Sequence, residues 1–353
     1  MDRKIVVFSE EMDHGAIRRD VIPLMSGRFL KYIPLVKCAV VLHDPLTLKN
    51  LAKVRGVADV IDDVRVYAIS YFDNFFDFEK RSQVIPWGVD RIEADKAWAV
   101  STGTYIKTAV IDTGIDLRHP DLRVYGGVNT ISSWRSYNDD NGHGTHVAGT
   151  IAALKNNLGV IGVAYTAALF AVKVLDSRGG GYLSDVIEGL EWCIKNKMQV
   201  INMSLGAGQD VALFHEAVKK AFDVGIFIAS AAGNNGPGAD TVLYPARYPE
   251  VAAVAAVDRN DKTASFSSRG PEVDLTAPGV DIYSTYLRRS YKLMSGTSMA
   301  TPHVAGAAAL VLAGKGQMRP GELMEHLKST SQDLGLPPEE QGAGLVNAYG
   351  AVL

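Results

Sequence analysis

Residues 295–313 join a glycine- and hydroxyl-rich stretch directly to an apolar one. Residues 295–306 read Ser-Gly-Thr-Ser-Met-Ala-Thr-Pro-His-Val-Ala-Gly, and Ala307 to Ala313 are all apolar. This pattern predicts a buried helix starting near Ser298, and Pro302 fits its first turn, where a proline loses no hydrogen bond. Free N–H groups of that turn favour negative charge beside Ser298. The segment predicts a nucleophilic serine, with a plain serine N-cap as the alternative.

Two further segments supply an acid and an imidazole. Residues 106–114 read Ile-Lys-Thr-Ala-Val-Ile-Asp-Thr-Gly, typical of a buried parallel strand with Asp112 at its carboxyl end, where open α/β sheets place ligands. The pattern of residues 141–154 predicts a glycine-containing loop that leads into a helix at His143. Nucleophilic acyl transfer needs these three groups, because the carboxylate orients the ring, the ring takes the hydroxyl proton and the oxygen attacks.

Two other chemistries use some of the same residues. A zinc site at His143 and His146 would need a further ligand, and the H-E-x-x-H pattern is absent. Asp112-Thr113-Gly114 matches the aspartic-protease tripeptide, but that mechanism needs a second such carboxylate, which only dimerisation through this loop would provide. His146 and His303 lie about a helical turn beyond the proposed base and nucleophile, so we expect them to be structural.

The chain order Asp112, His143, Ser298 differs from that of the α/β-hydrolases. The strings Asp-Thr-Gly-Ile-Asp, His-Gly-Thr-His-Val-Ala-Gly and Gly-Thr-Ser-Met-Ala-Thr-Pro-His resemble those of the subtilisin-like serine proteases, and the resemblance covers nearly the whole chain. It implies an α/β fold over residues 83–353, with a parallel sheet flanked by helices. It also implies a serine endopeptidase of broad specificity. The alternatives are a non-catalytic peptide-binding relative and an esterase with the same triad.

The resemblance assigns further site residues. The first asparagine of the turn in residues 229–236 donates to the oxyanion in the family, so Asn234 takes that role; an ordinary Asn-Gly turn is the alternative. Residues 179–182 and 204–206 match the two edge segments between which the family clamps an extended peptide. Leu243 stands where the family often has glycine at the base of the S1 pocket, so we expect small or medium P1 residues. The predicted substrate-binding residues are Gly179, Gly180, Gly181, Tyr182, Ser204, Leu205, Gly206, Gly233 and Leu243.

Oxygen donors indicate a structural calcium site. In the loop 154–160, alternate carbonyls and the Asn156 amide oxygen can converge on Ca²⁺, which accepts about six to eight oxygens. In the family an aspartate and a glutamine complete this site, and Asp121 and Gln83 match them. The predicted ligands are Gln83, Asp121, Leu154, Asn156, Leu158 and Val160; a plain turn is the alternative.

Residues 1–69 predict a small α+β unit. The patterns indicate strands Ile5 to Phe8, Ala39 to Leu42 and Val57 to Tyr67, with helices near His14 to Leu24 and Asp44 to Lys53. Residues 56–64 resemble the closing strand of the family's propeptide. The resemblance implies a ferredoxin-like propeptide domain that assists folding and inhibits the enzyme by laying its end in the cleft. A permanently attached accessory domain is the alternative.

Residues 70–82 link this unit to a segment, 83–88, that resembles the family's mature start. We expect autocleavage near Ile69, with Arg65 to Ile69 in the cleft as the first substrate, and Lys80-Arg81 as the rival site. A linker of this length would let Gln83 reach the calcium before cleavage.

The composition and charge of the chain argue against some classes of binding partner. The 353 residues carry a formal net charge of -3 without a basic run, which argues against nucleic acid, and no apolar run reaches membrane-spanning length. Residues 1–11 lack the apolar stretch of a secretory signal. Relatives with a prodomain are mostly secreted, which favours an extracellular location, and a cytoplasmic location stays open because no signal is seen. Cys38 and Cys193 predict free buried thiols, and we expect a monomer that acts on proteins and peptides.

Overall fold

A computed structural model of the chain describes residues 2–25, 27–70, 73–74 and 82–353. Its first unit is a four-stranded antiparallel sheet with strand order β2-β3-β1-β4. The strands are β1 (Arg3–Phe8), β2 (Phe29–Ile33), β3 (Cys38–Leu42) and β4 (Val57–Asp62). Helix α1 (His14–Ala16) continues through helical turns to Met25, and α2 is Pro45–Leu51. The β-α-β-β-α-β order is that of ferredoxin-like folds.

The sheet of this unit is buried on both faces. Successive side chains of a strand point to opposite faces, and β1 follows that rule: Val6 and Phe8 pack with Met25 and the unit's own helices. Ile5 belongs instead to the core formed with the following part of the chain. The small unit is therefore held to the rest of the protein by an apolar face.

The remaining elements form the body of the protein. The strands are β5 (Arg65–Ala68), β6 (Asp73–Asn74), β7 (Lys107–Asp112), β8 (Val124–Asn129), β9 (Ala168–Lys173), β10 (Gly180–Tyr182), β11 (Val200–Met203), β12 (Leu205–Gly206), β13 (Phe227–Ala231), β14 (Ala252–Val257), β15 (Leu275–Pro278), β16 (Ile282–Tyr286) and β17 (Ser290–Met294). The helices are α3 (Trp87–Arg91), α4 (Ala94–Ala97), α5 (His143–Ala152), α6 (Leu183–Lys195), α7 (Ala212–Asp223), α8 (Thr297–Lys315), α9 (Pro320–Ser329), α10 (Pro338–Gln341) and α11 (Ala348–Val352).

A seven-stranded parallel sheet, in the order β15-β14-β13-β11-β7-β9-β8, forms the centre of the body. On β7, Ala109 and Ile111 face the core formed with α6 and α7, whereas Val110 faces the core formed with α5 and α8. Because both faces are covered, the central strands are mostly apolar, and Asp112 and Lys173 stand at the carboxyl ends of β7 and β9. The predicted α/β fold, a parallel sheet flanked by helices, is confirmed.

Helix α8 crosses this core and is buried over Thr297–Leu312. None of the helices that the described residues form combines the length and apolar character needed to span a membrane. Cys38 on β3 and Cys193 on α6 are both free and buried, as predicted.

Two details of the first unit differ from the sequence predictions. The single strand predicted over Val57 to Tyr67 is wrong, because β4 ends at Asp62 and β5 pairs with β10 and β12 of the body. The Asp63 carboxylate accepts hydrogen bonds from the Ser184 amide (2.9 Å) and hydroxyl (2.7 Å), which fixes the chain where it leaves the first sheet. Strand β2 was not predicted.

Candidate active site

Asp112 and His143 meet at the carboxyl end of β7. Asp112 is the last residue of that strand and is fully buried, while His143 is the first residue of α5. The His143 Nδ1 atom lies 2.8 and 2.9 Å from the two Asp112 carboxylate oxygens. An ionised carboxylate only accepts hydrogen bonds, so this contact places a proton on Nδ1 and directs Nε2 away from the acid.

Backbone contacts fix this pair. The Thr113 amide donates to Asp112 Oδ1 at 2.6 Å, and the Thr113 hydroxyl accepts from the Gly144 amide at 2.9 Å. Asp112 is therefore oriented from its own loop, and that loop is joined to the first turn of α5.

A second aspartate, Asp139, organises the start of α5. Its carboxylate accepts from the amides of Asn141, Gly142 and Thr145, at 2.9 to 3.0 Å, and from the Thr145 hydroxyl at 2.6 Å. Burial raises the pKa of Asp139 above its usual range. Asp139 was not among the predicted site residues. The available signal was an aspartate close before an Asn-Gly pair at a helix start, which is typical of a local cap.

Ser298 lies in the first turn of α8 and is fully buried. Its hydroxyl donates to the Ser204 carbonyl oxygen at 2.9 Å, and the Ser204 hydroxyl donates to the Ser298 carbonyl oxygen at 2.9 Å. Thus the structure joins Asp112 directly to His143, whereas the hydrogen bond described for the Ser298 hydroxyl goes to the segment between β11 and β12.

Asn234 presents a buried amide donor beside Ser298. Its Oδ1 atom accepts from the Thr297 amide and hydroxyl, both at 3.0 Å, which fixes the side chain. Its Nδ2 atom is buried and makes no hydrogen bond with any described residue. A Cβ added at Gly296 would lie 3.2 Å from this Nδ2 and 2.9 Å from the Ile69 carbonyl oxygen. A donor that has no partner among the described residues and a peptide carbonyl oxygen therefore both lie next to Gly296.

Strand β5 occupies the cleft between the two predicted clamp segments. It pairs antiparallel with β10, where Gly180 opposes Tyr67, and with β12, where Leu205 opposes Ala68. The Ala68 amide donates to the Gly179 carbonyl at 2.9 Å. The predicted segments, with Gly181, Tyr182 and Gly206, thus form an edge on each side of one extended peptide.

Ile69 follows β5 and fills the position predicted for a P1 side chain. Its amide donates to the Ser204 carbonyl at 3.2 Å, and its side chain is buried. A Cβ added at Gly206 would lie 2.9 Å from Ile69 Cδ1 and 3.1 Å from Leu243, and one at Gly233 would lie 2.9 Å from Leu243. Leu243 therefore borders the space that Ile69 enters. The rival cleavage site, Lys80-Arg81, lies outside the described residues.

The six predicted calcium ligands lie together. The Gln83 Nε2 atom is 2.6 Å from the Leu154 carbonyl, 2.7 Å from that of Leu158, 3.0 Å from that of Val160 and 3.2 Å from Asn156 Oδ1. An amide nitrogen has two hydrogens, so it cannot satisfy four oxygens at once. This excess of converging oxygens suits a cation, while Gln83 Oε1 accepts hydrogen bonds from the Asn156 and Asn157 amides, each at 3.1 Å.

Asp121 supports the same interpretation of this loop. Its Oδ2 atom accepts from the Val160 amide at 3.0 Å and the Tyr291 hydroxyl at 3.2 Å, whereas Oδ1 is buried without a hydrogen bond to any described residue. Burial raises the pKa of Asp121 to about 6. A buried carboxylate oxygen beside converging carbonyls fits a hard cation such as Ca²⁺. Gln83 reaches this loop in the uncut chain.

Comparison with known proteins places the chain in a family. Residues 103–351 match the subtilase family. A thermostable alkaline protease of Halalkalibacterium halodurans is 47% identical over 314 residues, which cover 87% of this chain and 82% of that protein. Subtilisin E of Bacillus subtilis is 43% identical over 353 residues, covering 98% and 89%. An alkaline protease of Shouchella clausii is 46% identical over 285 residues, covering 80% and 74%.

The chain therefore belongs to the subtilase family. It is a subtilisin-like serine endopeptidase, a hydrolase that acts on protein substrates.

Proposed function

We propose that this endopeptidase works through Asp112, His143 and Ser298, and that it is a precursor which cuts itself between Ile69 and Ser70. The observation that carries the proposal is the peptide in the cleft: Arg65–Ile69 lies between two clamp strands, and the Ile69 carbonyl oxygen and the Asn234 Nδ2 atom both lie next to Gly296. In this proposal residues 1–69 are the propeptide, 70–82 the linker and 83–353 the catalytic domain.

The proposed reaction begins at Ser298. The hydroxyl leaves the Ser204 carbonyl and gives its proton to His143 Nε2 while Oγ attacks the carbonyl carbon of the P1 residue. The oxygen that becomes negative receives hydrogen bonds from Asn234 Nδ2 and the Ser298 amide. His143 then protonates the leaving amine, and the same base activates the water that hydrolyses the acyl-enzyme.

The first unit supplies an inhibitor after the cut, because its contacts with α6 do not depend on the peptide bond. Lys31 Nζ lies 2.5 Å from Asp185 and 2.5 Å from Glu188, and Arg3 lies 3.1 Å from Asp185. With the shared apolar face, these contacts would keep β5 in the cleft as a product. Clamp, triad and S1 residues all come from one chain, so a monomer would hold a complete site.

The proposal is tested by incubating the purified chain with calcium, with and without a serine-directed fluorophosphonate, followed by mass spectrometry and a casein assay. We expect cleavage between Ile69 and Ser70, label on Ser298 and casein digestion. A new amino terminus at Ser82 would favour Lys80-Arg81 instead. A chain that stays uncut and unlabelled but binds peptides would overturn the proposed triad.

Asn234→Ala is expected to lower kcat about 100- to 1000-fold, since it removes one of two oxyanion donors. KM should change little, because the donor acts mainly in the transition state. Peptide hydrolysis of the processed enzyme measures both constants. Asn235→Ala, at the neighbouring exposed asparagine, is the control and should keep wild-type values. A loss of less than tenfold in Asn234→Ala would remove it from the oxyanion site.

Leu243→Gly is expected to extend the space beside Ile69 and admit large aromatic P1 residues. A peptide library would measure the P1 profile of both enzymes. We expect the unchanged enzyme to prefer small or medium P1 side chains and the variant to gain Phe and Tyr, with Ala at P1 as the internal control. An unchanged enzyme that already prefers Phe or Tyr would contradict this role for Leu243.

Bound calcium would tie the loop 154–160 to Asp121 and to Gln83 and stabilise the native state. At a concentration 100 times Kd, a ligand that binds only the native state adds about 2.7 kcal/mol. We expect calcium titration of the uncut Ser298→Ala chain to show binding and a raised Tm. Asp121→Ala should abolish both effects, whereas Asp223→Ala, an exposed aspartate of α7, should keep them. Binding that appears only after cleavage would contradict the placement of Gln83.

A further inference from the structure

Lys173 carries a buried ammonium group next to the acid of the proposed triad. It is the last residue of β9, in register with Asp112 on the neighbouring parallel strand β7. Its side chain is only 6% exposed. The Nζ atom donates to the Thr113 carbonyl at 2.6 Å, the Asp140 carboxylate at 2.7 Å and the Leu175 carbonyl at 2.9 Å. These three contacts use all three hydrogens of the ammonium.

The three partners belong to three parts of the site. Thr113 contacts both Asp112 and the start of α5. Asp140 lies in the loop before His143, next to the capping residue Asp139. Leu175 forms a bridge with Gly181, which lies opposite the peptide in the clamp strand β10. One ammonium therefore joins the acid loop, the loop before the base and the substrate clamp.

The chemistry of this contact argues for a role in the site. Burying an ammonium is costly unless its hydrogen bonds and its charge are satisfied. Here the two carbonyls satisfy hydrogen bonds, and Asp140, whose side chain is 55% exposed, supplies the only charge among the three partners. Lys173 does not reach the peptide in the cleft through any described contact, so its effect on the reaction must pass through the loops that it holds.

We propose that Lys173 is a positioning residue that holds the Asp112–His143 pair and the clamp strand β10 in one geometry. The proposal rests on the proposed triad. Small displacements of groups at a reacting centre lower the reaction rate strongly, and a displacement of about 1 Å can lower it about 100-fold. Losing the ammonium would release the Thr113 peptide, the loop before His143 and Leu175 together.

The test compares Lys173→Met, which keeps side-chain length without the donors, with Lys107→Met at the opposite end of β7. The first measurement is the first-order rate of self-cleavage, in which the cleft is already filled. The second is kcat and KM of the processed enzyme on p-nitrophenyl acetate and on an extended peptide anilide. We expect Lys173→Met to lose about 10- to 100-fold in self-cleavage and in kcat on both substrates, and to raise KM for the peptide only.

A purely structural lysine would lower Tm and leave these constants within twofold, and that result overturns the proposal. A change confined to KM for the peptide also overturns it, because the acid–base pair would then be unaffected. If Lys173→Met does not fold, Asp140→Asn replaces it: we expect a three- to tenfold loss of kcat on the ester, and an unchanged kcat overturns the proposal. Failure of the triad itself is distinct, since unsubstituted enzyme would then lack label on Ser298.

Discussion

Ser298→Ala will leave residues 69 and 70 joined and lower peptidase activity about a million-fold. Loss of the nucleophile in subtilisin, a relative, has an effect of that magnitude. The reason is that, in the proposed reaction, the Ser298 oxygen forms the covalent bond to the substrate. Without it, only binding and the oxyanion donors favour the reaction.

The variant should still fold. The Ser298 hydroxyl makes one described hydrogen bond, to the Ser204 carbonyl, and losing such a bond costs about 1 kcal/mol. The uncut chain should therefore keep the first unit against α6. Mass spectrometry after incubation measures the cut, and hydrolysis of a peptide anilide measures the activity.

The matched control is Ser295→Ala, three residues earlier in the same segment. The Ser295 hydroxyl accepts a hydrogen bond from the Asp281 amide at 2.9 Å and has no assigned role in the reaction. It should retain self-cleavage and lose only a small amount of stability. If Ser298→Ala cuts itself at the wild-type first-order rate, the nucleophile lies elsewhere.

The large elements of the fold were predictable because their physical cause is local. The apolar run before Asp112 belongs to a strand covered on both faces, and the run after Ser298 belongs to a helix buried on all sides. Such patterns do not depend on which partner covers them. The parallel sheet and helix α8 could therefore be predicted from the sequence.

The division of Val57 to Tyr67 into two strands was not predictable in the same way. The pattern is continuous, and the break at Asp63 depends on Ser184, which is 121 residues away along the chain. Strand β2 is similar: Lys31 interrupts its apolar character, and its charge is explained only by Asp185 and Glu188 on α6. Contacts with residues far away in the sequence therefore decide strand boundaries that local secondary-structure propensity does not determine.

The residues of the candidate site also divide into those with a local signal in the sequence and those without one. Motifs indicated Asp112, His143 and Ser298 as candidates because each motif is a local turn or helix start. Lys173 ends an ordinary apolar strand, and no nearby residue in the sequence indicates that its ammonium meets loops at 113, 140 and 175. A residue that acts by joining distant segments has no local signature.

Asp112→Ala is expected to lower kcat about ten-thousand-fold, less than Ser298→Ala but more than Asn234→Ala. Both oxygens that face His143 Nδ1 would be lost. The ring would then lack the group that fixes its tautomer and stabilises the imidazolium formed during attack, and removing this acid in serine proteases costs about 10,000-fold. Each tenfold is about 1.4 kcal/mol, so the expected loss is about 5.5 kcal/mol of transition-state stabilisation.

The control is Asp116→Ala, in the same Asp-Thr-Gly-Ile-Asp string. The Asp116 carboxylate accepts from the amides of Arg118 and Arg288, each at 3.0 Å, and makes no described contact with His143. It should cost stability and less than tenfold in kcat. Rates of fluorophosphonate labelling on Ser298 separate the two variants, because labelling needs the nucleophile activated by His143. Equal labelling rates in Asp112→Ala and Asp116→Ala would mean that His143 does not depend on Asp112, and the proposed acid would have to be sought elsewhere.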